Sequence, residues 1–188
     1  MTEKEIFTEA RATMIEGMMI HEQLANYYDF LGMKGYKRMH EYQFVKESMM
    51  LRKLSRYYIN HVGGLIPDKQ VDDPKAIPDD WYNHIRDDVT MDVKKSAVRT
   101  AMTKWVAWEK KVKELMESAH KDLVMEGKAS AMKIEKFLRD VDKELKCAHR
   151  KMLDLQSVDF DMVYIMSMQD EIHDKYKNKI KEVGKCLT

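Results

Sequence analysis

All three prolines of this 188-residue chain fall in one stretch, LIPDKQVDDPKAIPDD, residues 65–80. Proline removes a backbone donor and blocks a helix, so this stretch divides the chain into two arms that carry no such obstacle. Both arms are rich in Lys, Glu, Met and Leu, with seven glycines in the whole chain. Strand patterns are nearly absent, so the composition favours helix throughout. The length suits a single domain over 1–188 with a substantial core.

Helical periodicity then places the elements. A first helix is expected over 2–31, with Phe7, Ala10, Met14, Met18, Ala25 and Tyr28 on its apolar arc, and the turn LGMKGY ends it. A second runs over 36–61 until Gly63 and Gly64 stop it, and so short a turn makes the two antiparallel neighbours. A third is expected over 91–125 and a fourth over 130–155, after a long connection in which WYNHIRDD forms a short helix. A fifth, 162–183, follows the break QSVDFD. The 17 methionines read mainly as core filling, and bundle packing accounts for Tyr27, Tyr28, Tyr57 and Tyr58 as well as a redox role does.

Charge and leader signals narrow the partners. The chain has 33 basic and 32 acidic residues, a formal charge of +1, which argues against a broad nucleic-acid surface. Two cysteines, Cys147 and Cys186, with no secretory leader and no apolar run of about 18 residues, point to free thiols, a cytoplasmic location and no membrane span. Phosphate-binding glycine loops, Cys-x-x-Cys pairs and local nucleophile motifs are absent.

One helix carries charge where it should be apolar. Taking about 100° per residue, Tyr36, His40, Phe44, Met50, Leu51, Leu54 and Tyr58 all lie within about 60° of Glu47. A carboxylate on the inner stripe costs several kcal/mol unless it is paired, protonated or bound to a cation. Glu109, between Trp105 and Val112, is centred on the inner stripe of the third helix in the same way. His21 lies near the middle of the first helix's arc, and His40 faces the same way as Glu47. These two histidines are eleven and eight residues from Gly32, so at about 1.5 Å per residue they stand at similar heights on neighbouring helices.

The passages GMKGYKRMHEYQFVKESMMLRKLSRYYINHVGGLIP and WEKKVKELMESAHKDL resemble the second and third helices of ferritins and bacterioferritins, members of the ferritin-like superfamily. The resemblance implies an all-α, ferritin-like antiparallel four-helix bundle over about 3–155, with a long crossover between helices two and three and the fifth helix appended. It also implies a di-iron carboxylate site. Carried over, Glu47 matches the second-helix glutamate and Glu109 the third-helix one, with Glu16 the first-helix candidate. Met50 stands where that family has the histidine of Glu-x-x-His, and the fourth helix, with Asp142 marginal and ELKC at 144–147, offers no such motif. Thioether sulfur is a poor iron ligand, so weak or absent ferroxidase activity is expected.

The metal-site candidates are therefore Glu47, Glu109, Glu16, His21 and His40, a mixed imidazole and carboxylate set suited to iron, with manganese or zinc as alternatives. The resemblance further implies self-association into a homo-oligomer, although the long connection and the fifth helix argue against a closed cage. The alternative is a non-catalytic bundle that keeps the scaffold without metal and binds a protein partner through Val163, Ile165, Met166 and Met168.

Overall fold

The computed structural model describes residues 1–185; Cys186, one of the two expected free thiols, lies outside the described residues. The helices are α1 (Glu3–Phe30), α2 (Lys34–His61), α3 (Met91–Met125), α4 (Ala131–Ser157), α5 (Met162–Ser167) and α6 (Gln169–Lys185). The two proline-free arms have each become a helical hairpin, α1 with α2 and α3 with α4, and the hairpins pack as a four-helix bundle. No described helix is long and apolar enough to cross a membrane.

Local chemistry sets the helix ends. Thr2 and Glu5 form a reciprocal capping box at the start of α1, satisfying two backbone donors that the helix itself leaves open. At its other end Gly32 adopts φ +72°, which lets the Met33 amide donate back to the Tyr28 carbonyl and turns the chain into α2. The first amides of α2 are capped from afar, since Gly35 N and Tyr36 N both donate to Oε1 of Gln169. That glutamine opens α6, so α6 is seated beside the start of α2 and runs along it.

The crossover from α2 to α3 runs along the outside of α1. Lys69 meets Glu9, Gln23 hydrogen-bonds Asp73 and the Ala76 amide, and Trp81 stacks on Tyr27 at 4.5 Å, so it climbs α1 from one end to the other. The short helix expected at WYNHIRDD is present as two single 3-10 turns, Asp79–Asn83 and Arg86–Asp88. The crossover delivers α3 to the far end of the bundle, antiparallel to α1, and the N-terminal ammonium of Met1 consequently meets Asp122 near the end of α3 at 2.7 Å.

Methionines fill the core as expected, with Met14, Met33, Met39, Met102 and Met116 all buried. The fifth helix differs from expectation in that it is divided at Met168 into α5 and α6. Its apolar residues also point different ways. Ile165 is buried and Met166 packs partly against the core, leaving Val163 as the fully exposed one of the group.

Gly17 matters for the interior because α1 and α3 meet there. Alanine in place of glycine within a helix normally stabilises by roughly 0.5–1 kcal/mol. Here the added Cβ would lie 2.2 Å from Cζ2 of Trp108, whose ring is itself buried. Gly17→Ala should therefore destabilise by roughly 1–3 kcal/mol, read by urea denaturation. A stabilised variant would mean that the Trp108 ring leaves α1 easily.

Candidate metal centre

Glu47 and Glu109 meet inside the bundle. They come from α2 and α3, both are buried, with 4% and 2% of their surface exposed, and neither carboxylate has a basic side chain in ion-pair contact among the described residues. The indole N–H of Trp105, one turn earlier on α3, donates to Oε1 of Glu109 at 3.0 Å and fixes its orientation. Burial pushes the Glu47 carboxyl up to about 8, with the Glu109 charge adding to it and Lys46 opposing. Burial likewise pushes Glu109 up to about 7 against the Trp105 hydrogen bond and Lys46. In the absence of a cation the pair therefore carries protons near neutral pH.

Three further polar groups border this pair. Glu144 of α4 pairs with Lys46 and accepts a 3.4 Å hydrogen bond from Nε2 of Gln43. Oε1 of Gln43 is buried and has no hydrogen-bond partner. Gln43 lies one turn from Glu47 at about 40° on the same face, so the periodicity that singled out Glu47 also marks it; a search for apolar residues and ionisable ligands passes over an amide. Glu144 lies on the flank of an apolar stripe and belongs to no Glu-x-x-His motif, so only the packing of α4 against α2 identifies it.

His21 and His40 face each other with Nδ1 to Nδ1 at 3.0 Å, as their matched heights require. They form a pair separate from the glutamates. Burial first, then the neighbouring cation Lys151, pushes His40 down to about 3; burial, His40 and Lys46 hold His21 well below its ordinary value. Both rings are thus neutral and share one proton between the Nδ1 atoms, while both Nε2 atoms are buried without a partner. Tyr28 stacks on His40 at 5.4 Å, and Trp105 stands edge-on to both imidazoles at 6.4 and 6.0 Å. Trp105 therefore touches both pairs, its ring against the histidines and its N–H on Glu109.

Glu16 is placed apart from these residues. Both of its carboxylate oxygens accept from Nζ of Lys111, at 2.7 and 2.6 Å, on the outer side of α1. The buried residues of α1 at this level are Thr13, Met14, Gly17, Ile20 and His21, and the Trp108 ring covers Gly17, so α1 supplies no inward carboxylate here. Asp142 is similarly engaged, by Lys113 and Lys146. Met50 is buried on α2 one turn from Glu47. Among the described residues no three His, Cys, Asp or Glu side chains gather where a single metal ion would sit.

Glu47, Glu109 and the orphaned amide oxygen of Gln43 are hard oxygen ligands suited to ferrous iron or manganese. Glu144 is engaged by Lys46. The two imidazoles that would make a nitrogen-rich site are engaged with each other.

No protein-family model matches the chain, and no curated protein matches it. Solved structures do match in fold. An open-pore ferritin from the hyperthermophilic archaeon Archaeoglobus fulgidus aligns with a TM-score of 0.75 at 16% identity, covering 92% of this chain and 98% of that one. An engineered closed form of the same organism's ferritin aligns at 0.74 and 16%, covering 92% and 96%. A humanized archaeal ferritin gives 0.74 and 15%, covering 92% and 97%. The chain therefore has the ferritin-like four-helix bundle fold.

The two buried pairs give stability opposite pH dependences. Glu47 and Glu109 keep protons that the unfolded chain loses near pH 4.5, so stability falls as pH rises from about 4.5 to about 8. The unfolded imidazoles take protons near pH 6.5 that the folded His21 and His40 refuse, so stability also falls as pH drops below 6.5. Glu47→Gln should flatten the alkaline limb, raising stability at pH 8 by on the order of 1–3 kcal/mol, while leaving the acid limb in place. Chemical denaturation across pH 4–9 measures both. An unchanged alkaline slope in the variant would contradict the protonated state.

Proposed function

We propose that this ferritin-fold chain handles iron, taking up one ferrous ion between Glu47 and Glu109 where the ferritins it resembles hold two irons. The observation that carries this reading is the pair of buried carboxyls on separate helices, without a basic partner in contact, beside an unsatisfied amide oxygen. Such a pair is costly as two carboxylates and is relieved by a divalent cation. On binding, Glu47 and Glu109 give up their protons, Trp105 keeps the Glu109 carboxylate turned inward, and Glu144 exchanges Lys46 for the ion. Iron is cargo or substrate here, and Met50 in place of an imidazole keeps oxidation slow. Self-association, which the resemblance to ferritins implies, is part of this reading.

A second reading rests on one contact. Lys46 on Glu144 sets an ammonium close enough to lower both buried carboxyls, so a resident side-chain charge would take the place of the ion. The chain would then be a metal-free scaffold.

Anaerobic dialysis against Fe(II), followed by elemental mass spectrometry, separates the two. The proposal expects about one iron per chain, lost in Glu47→Gln and in Glu109→Gln at unchanged helix content. A wild-type chain that takes no iron, with Lys46→Gln gaining it, would establish the second reading. Met50→His should raise oxygen-dependent iron oxidation in the first case, because it adds the imidazole that iron prefers.

A further inference from the structure

A cavity of about 310 Å³ opens between α2, α4 and the α5–α6 corner. Met39 of α2 lines it, eight residues before Glu47 and so about 12 Å along the helix from the carboxyl pair. Its floor is apolar, formed by Met39, Met102, Leu155 and Ile165. Its size falls in the range of small-molecule sites, about 300–1,000 Å³.

The charge around it is uneven. Arg150, Lys151 and Lys175 line the cavity, and none of the three is in an ion pair among the described residues. The Lys151 ammonium lies 5.3 Å from the centroid of the Tyr176 ring, with Lys175 and Lys179 at 5.9 and 5.2 Å from the same ring. Three ammonium groups thus crowd around one buried aromatic ring. Burial and these like charges lower the Lys151 pKa, although the nearby Cys147 and Asp154 oppose it. Asp154 and Glu171 also line the cavity, yet among the described residues neither is in ion-pair contact with these cations, although Asp154 is near enough to act on Lys151. An incoming anion would relieve this crowding.

The walls specify the body of that anion. Tyr36, Tyr164 and Tyr176 line the cavity together with Met39, Met102 and Met168. Flat rings stack on tyrosine, and thioether sulfur makes favourable contacts with aromatic edges. We propose that this cavity binds an aromatic carboxylate, its ring among Tyr36, Met39 and Met102 and its carboxylate on Lys151 and Arg150. The site is independent of the iron reading, since none of its residues belongs to the Glu47–Glu109 group.

Cys147 is exposed and lines the cavity, so it reports occupancy. In the 188-residue chain carrying Cys186→Ser, the rate of Cys147 alkylation by N-ethylmaleimide is measured against increasing 2-naphthoate. The proposal expects saturable protection by 2-naphthoate and much weaker protection by neutral 2-naphthalenemethanol. Acetate should protect negligibly, and Lys151→Met should weaken naphthoate binding about tenfold. Arg150→Gln, on the exposed surface of α4, should weaken it in the same direction and covers the case in which Lys151→Met fails to fold. Lack of protection, protection unchanged in both folded variants, or equal protection by the neutral analogue would overturn the proposal. Decanoate binding as tightly as 2-naphthoate would overturn the aromatic assignment.

Discussion

Two carboxyl groups brought together in the buried interior are the constraint around which that interior is arranged. Glu47 and Glu109 are buried among apolar residues of α2 and α3, where a pair of like charges could not persist. The fold answers with protons on the carboxyls, one indole N–H from Trp105, and Lys46 held at a distance by Glu144. Each device is partial. Gln43 Oε1 is left without a donor, so the group still has an acceptor to satisfy. A bundle built only for stability would fill this level with leucine, as it does at Leu54 and Leu123.

The histidine pair repeats the pattern one level along the bundle. Two neutral imidazoles share a single hydrogen bond and leave both Nε2 atoms unsatisfied, enclosed by Tyr28, Trp105 and Trp108. Trp105 joins the two pairs, its N–H on Glu109 and its ring edge-on to both imidazoles. The Trp108 ring, admitted by Gly17, closes α1 over this level and leaves Glu16 outside with Lys111.

Much of this was legible in the residues. Proline confined to 65–80 divided the chain into two hairpins, and the glycines at 32, 63 and 64 ended helices where expected. The inward direction of Glu47, Glu109 and His21 followed from the helical angle alone, and the matched heights of His21 and His40 followed from the helical rise. Other features needed the third dimension. Glu16 sits at the edge of its arc, and only the reach of Lys111 decides which way it turns. Glu144 and Lys46 belong to different helices and are joined by packing that periodicity within one helix does not encode. The division at Met168 was hidden because the apolar spacing continues through it, while the anchor at Gln169 depends on the start of α2.

The most direct test of a cation-seeking carboxyl pair is the number of protons released when Fe(II) binds, measured by anaerobic titration in buffers of differing ionisation heat. With Glu47 near 8 and Glu109 near 7 in the free chain, about two protons should leave per ion at pH 6, falling toward none by pH 9. Iron bound without proton release at pH 6 would mean that the carboxyls are already ionised, and the account of this interior would be wrong.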